Sequence, residues 1–121
     1  MIDIVYNREH HRVTMRGHAG SAEAGHDIVC ASASILAYTL AANVASADAE
    51  RQVRNTVLRL DEGDAEISCA PVRKWSAVIT VLFDAICSGF ALLAQRYPEN
   101  VRRAKPEQDR KSTRLNSSHV D

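Results

Sequence analysis

The chain has no net charge: its 121 residues carry 15 Lys plus Arg against 15 Asp plus Glu. Without a long-range field of either sign, charge gives no argument for a nucleic-acid partner or an anionic membrane surface. Cysteine is scarce and unpaired, at Cys30, Cys69 and Cys87. An odd number without paired spacing excludes a disulfide framework, and no basic stretch followed by an apolar run opens the sequence, so a reduced, cytoplasmic protein is expected. Uninterrupted apolar runs are missing too. The two most apolar stretches, residues 28–47 and 77–94, are broken by Ser, Thr, Asn and Asp, and they read as core helices and not as membrane spans. No Cys-x-x-Cys pair and no His-Glu-x-x-His helix occurs, so a zinc site built on His18, His26 and Cys30 lacks a fourth ligand. A metal site is therefore the weaker reading of these residues.

The length suits one domain with a two-layer core. Residues 1–7 alternate Ile2, Ile4 and Tyr6 with Asp3 and Val5, and a polar stretch separates them from a second run at 13–18, which predicts a hairpin. Residues 19–26 hold two glycines and no large apolar side chain, as expected of a mobile loop. Asp27 then offers an N-cap for a helix over 28–47 whose apolar residues and alanines spread around the circumference, the pattern of a buried, central helix. A second hairpin is predicted from residues 54–60 and 65–69, joined by the acidic, glycine-bearing turn Asp61-Glu62-Gly63-Asp64. A second helix follows Pro71, with Trp75, Val78, Leu82, Ala85, Ile86, Phe90, Leu93 and Tyr97 at three- and four-residue steps, and ends at Pro98. The expected fold is α+β, in the order ββαββα: a largely antiparallel four-stranded sheet with two helices packed on it. The domain covers residues 1–105. Residues 106–121 are polar and aperiodic, share little with the domain before them, and are expected to form a disordered tail that is not part of the native fold.

The chemistry is concentrated between His18 and Cys30, twelve positions apart. If Asp27 is the cap, Ile28, Val29 and Cys30 hold the first three helical positions, and a Cys30 thiolate sits in the field of free backbone N–H groups. Those groups could also hold an oxyanion. A thiol does nucleophilic work as its thiolate, which a helix N-terminus and a neighbouring imidazole both favour, and His18 stands at the end of the second strand. Asp27 admits two roles, capping the helix or orienting His18. Ser34, one turn beyond Cys30, is a supporting candidate, and Gly17 and Gly25 bracket the loop. Cys69 and Cys87 read as small core hydrophobes, and His10, His11 and His119 as solvated side chains.

The residues Gly17-His18-Ala19, Gly25, Asp27-Ile28-Val29-Cys30-Ala31 and Ser34 resemble the signature of the ribosomal-processing cysteine proteases, the Prp family. The element order and the closing Tyr97-Pro98 extend that resemblance over roughly the first 105 residues. The resemblance implies a cytoplasmic, homodimeric endopeptidase that removes the N-terminal extension of large-subunit ribosomal protein twenty-seven. By it Cys30 is the nucleophile and His18 the general base and acid, with Gly17, Asp27 and Ser34 supporting. The loop carrying Gly20 and Gly25 moves over the bound peptide. The partner is then that ribosomal protein precursor, with no nucleic acid, membrane or cofactor. A non-catalytic, ribosome-associated binding module is the competing reading.

Overall fold

A computed structural model of the chain describes residues 1–18 and 26–104, with His26 and Asp27 described in their backbone only. The expected disordered tail at 106–121 lies outside the described residues, as does most of the expected loop at 19–26. The first hairpin is present: β1 (Ile2–Asn7) and β2 (Arg12–Gly17) pair antiparallel through a short 3₁₀ turn at Arg8–His10. Helix α1 spans His26–Ala49. The second hairpin is β3 (Val53–Asp61) and β4 (Asp64–Pro71), and after a further 3₁₀ turn helix α2 covers Ser76–Arg96. A fifth strand, β5 (Val101–Ala104), runs parallel to β1.

The sheet order is β3-β4-β2-β1-β5. The α+β class and the two hairpins are as expected, but the sheet has five strands, and the last pairing makes it mixed. β5 is illegible in sequence because it has four residues, Val-Arg-Arg-Ala, and buries only Val101. What selects it is its neighbour: the Ile2 N–H donates to the Asn100 carbonyl at 2.7 Å, and Val101 lies beside Ile2.

Strand alternation sends Ile2 and Ile4, Val13, and Ile67 and Cys69 to one face, where α1 and α2 cover them. The opposite face is charged and paired, with Arg102 on Asp3 at 2.8 Å, Arg16 on Asp64 at 3.1 Å and Arg59 on Asp64 at 2.7 Å. In α2 the core stripe is Ile79, Phe83, Cys87, Phe90 and Leu93. Of the expected residues, Phe90 and Leu93 are in that stripe and Trp75, Leu82, Ile86 and Tyr97 pack beside it, whereas Val78 is 54% exposed and Ile79 takes the buried place. Helix α1 departs further from expectation. It buries one stripe, Val29, Ala33, Ala37, Leu40, Val44 and Ala47, and leaves Ile28, Ile35 and Tyr38 more than half exposed. Among the described residues it lies on the outside of a two-layer domain and is not central, with the sheet beneath it and α2 beside it. By length and composition both helices could cross a membrane, yet each gives a continuous stripe to the core.

Candidate active site

Strand β2 ends at Gly17, and His18 follows it directly. The backbone here is held from both sides. Gly17 donates its N–H to the Gly63 carbonyl at 2.9 Å, and the Met1 amine donates to the His18 carbonyl. Gly17 has φ +103°, and a Cβ there would sit 2.2 Å from the Met1 carbonyl oxygen. Only glycine fits.

Cys30 enters from α1, exposed and free of any disulfide. The helix starts at His26, so Asp27 is inside it and is not its N-cap, and Cys30 occupies the fifth helical position and not the third. An acidic residue is favoured by the helix dipole within the first turn as well as at the cap, so Asp27 alone could not fix the boundary. At the fifth position the Cys30 N–H has the His26 carbonyl as its intrahelical acceptor, which removes it from the expected set of free donors. The thiol keeps its place over the first turn all the same, because Cβ atoms of a helix tilt toward its N-terminus. The Asp27 side chain lies outside the described residues, so its second possible role, orienting His18, falls there too. Gly20, Gly25 and the side chain of His26 are likewise outside them.

His18 and Cys30 line one cleft of about 330 Å³. Ile2, Met15 and Ala65 from the sheet form its floor, and α1 supplies one wall through Cys30, Ala33, Ser34, Ala37 and Tyr38. Ser34 is thus in the cleft one turn beyond Cys30, and Gly17 is in it beside His18. Leu60 and Asp61 from the end of β3, with Glu62 and Gly63 of the β3–β4 turn, close the other side. The turn is the part of the site that the sequence did not disclose. Its own signal is that of a hairpin, and it reaches His18 only because β4 pairs with β2, with Met15 opposite Ala65 and Arg16 opposite Asp64. Asp64 ties that junction together: hydrogen bonds from Arg59 first, and then from Arg16, hold its carboxyl below the usual carboxylate range.

The other two cysteines are packed away. Cys69 and Cys87 are buried, as expected, and burial pushes their thiols up to about 11 and about 12. His11 contradicts the expectation of a solvated side chain. It is buried, its Nε2 is 2.7 Å from Thr80 Oγ1, and its ring stands edge-on to Phe83. Among the described residues no group of three His, Cys, Asp or Glu side chains is placed to hold a metal ion.

An exposed thiol and an imidazole in one cleft are the parts of a cysteine hydrolase, and the family model of the cysteine protease Prp matches residues 1–102. The chain belongs to the Prp family of cysteine proteases. Solved structures agree with that assignment. The chain is similar to SMU.848 from Streptococcus mutans, at 27% identity and a TM-score of 0.61, over 86% of this chain and 90% of that one. It is also similar to the essential ribosomal processing protease Prp from S. aureus in complex with a substrate peptide, at 25% identity and a TM-score of 0.64, over 87% of this chain and 97% of the other. The same S. aureus protease with a covalently linked product peptide matches at 26% identity and a TM-score of 0.63, over the same shares of the two chains. No curated protein matches the chain significantly. The protease described here is therefore an α+β enzyme of this family, with its free exposed cysteine at the start of α1.

Proposed function

We propose that this protease removes the N-terminal extension of large-subunit ribosomal protein twenty-seven in the cytoplasm, with Cys30 as nucleophile and His18 as general base and acid. The observation that carries the reading is that an exposed Cys30 thiol over the first turn of α1 and the imidazole of His18 line the same cleft. The S. aureus relative, solved with a substrate peptide and with a covalently linked product peptide, supports a peptide substrate and a covalent course.

In that course the Cys30 thiolate attacks the scissile carbonyl, and the C–N bond breaks as His18, protonated, gives its proton to the leaving amine. Water then attacks the thioester while His18 takes its proton, and the C–S bond breaks to release the acid and restore the thiolate. Free N–H groups of the first turn of α1 are available to the oxyanion. Ser34 and Gly17 shape the cleft beside the two reacting groups. As in the family resemblance, the enzyme works as a homodimer, and the exposed apolar outer face of its helices supports that assembly.

The test is cleavage of a peptide spanning the extension of the organism's own ribosomal protein, with native protein and Cys30→Ala side by side. Cleavage should fall by a factor on the order of 10³ or more in the variant, with its fold intact. A folded native protein that leaves the peptide whole would require another substrate, and an unfolded Cys30→Ala would make Cys30 structural.

A further inference from the structure

We infer that Gly63, at the tip of the β3–β4 turn, is a positioning residue that seats the imidazole of His18. The inference rests on the proposed role of His18 and adds the device that holds its ring in place. A Cβ at Gly63 would sit 2.6 Å from His18 Nε2, 2.7 Å from Cε1 and 3.5 Å from Cδ2. The edge of the ring therefore occupies the space that any other residue's side chain would fill. Gly63 has φ +74°, so its backbone presents a bare Cα to the ring in a conformation L side chains rarely adopt.

The contact is built from both sides. The Gly63 carbonyl accepts the N–H of Gly17, the residue preceding His18, at 2.9 Å. The turn thus pins the backbone that carries the imidazole and also walls the ring itself. Asp64 fixes the turn in its place, bridging Arg16 on β2 at 3.1 Å and Arg59 on β3 at 2.7 Å. His18 is otherwise exposed, and an exposed histidine without a wall visits several rotamers, only some of which face the cleft. A misplacement of about 1 Å between reacting groups can cost on the order of 100-fold in rate, so a wall of this kind has kinetic value.

The experiment compares native protein with Gly63→Ala, Gly63→Asn, His18→Ala and the Gly63→Ala/His18→Ala double variant. It reads Cys30 alkylation by iodoacetamide near neutral pH, located by peptide mapping, and the NMR resonance of the His18 Cε1–H. Cys69 and Cys87, both buried, report the fold by staying unalkylated. Asn tolerates positive φ better than Ala while still carrying a Cβ, so it separates the steric contact from backbone strain. With His18 present, both Gly63 substitutions should slow alkylation on the order of 10- to 100-fold and move the His18 resonance. Without His18, Gly63→Ala should add nothing. If Gly63→Ala exposes the buried cysteines, relief of that defect in the double variant supports the same contact, and an unrelieved defect is backbone strain at φ +74°, in which case Gly63→Asn with and without His18 decides. Equal slowing with and without His18, or an unmoved resonance in a folded Gly63→Asn, overturns the seat. A moved resonance combined with alkylation indifferent to His18→Ala supports the seat and overturns His18 as the base.

Discussion

Burial decides which residues of a given type are available for chemistry, and the cysteines and histidines divide on that ground. Desolvation disfavours the thiolate, and with their thiols raised Cys69 and Cys87 act as core hydrophobes, whereas Cys30 meets solvent at the cleft. His11 is the histidine taken inside. Burial, and then Arg8, push its imidazole below the ordinary histidine value, because the charged form loses water beside another cation, and the Asp84 carboxylate offsets only part of that. The unfolded chain therefore binds this proton at a higher pH than the folded one, so the stability His11 contributes is complete above about pH 6.5 and declines as pH falls below that. Between pH 7.5 and 5.5 the urea midpoint of the native protein should drop more than that of His11→Gln, whose side chain does not titrate. Equal drops would show that His11 carries none of this dependence. The region from Arg8 to Arg12 reads as polar in sequence, and nothing local announces that His11, at φ +48°, turns its ring onto Phe83 from α2.

The elements show where period is enough and where it is not. Both hairpins follow from alternation and turn residues, and the α2 period follows from apolar spacing, because these signals are local and backbone geometry alone sets them. The phase of α2 and the outward position of α1 follow from packing against particular neighbours. Gly89 is an instance: a Cβ there would lie 2.8 Å from Leu36 Cδ2, so at this point the two helices meet over a missing side chain. The atom in the way is the end of a flexible side chain, so Gly89→Ala should be close to neutral, its crowding offset by the roughly 1 kcal/mol that alanine gains over glycine within a helix. Gly89→Val fills more space with a branched side chain and should cost about 1–3 kcal/mol. Urea denaturation of the two variants against native protein measures both. A Gly89→Val as stable as Gly89→Ala would mean that the helices are not held at this point.

At the scale of the molecule, one layer is finished and the other is not. The outer face of the sheet closes on itself through ion pairs among Arg16, Arg59, Arg102 and their carboxylates. The outer face of the helices exposes Ile35 at 60%, Val81 at 65% and Leu92 at 62%, and Ile35 and Leu92 border a groove between α1 and α2. A second copy seated there would bury apolar surface that the single chain leaves wet. Ile35→Glu should convert the proposed dimer to monomer in light scattering with the fold retained, and an unchanged mass would take Ile35 out of the interface. The sequence by itself determined the hairpins, the two helices, and the pairing of His18 with Cys30 as the candidate couple, because alternation, helical period and the Gly-His…Asp-Ile-Val-Cys signature are all written locally. Tertiary structure alone decided the rest: β5 exists because Ile2 offers it a partner, and the cleft has a third wall because β4 lies beside β2. The β3–β4 turn therefore stands against His18 although Gly63 lies 45 positions further along the chain. Local periodicity specifies what an element is, but strand order, which sets its neighbours, depends on how the whole apolar surface can be buried at once.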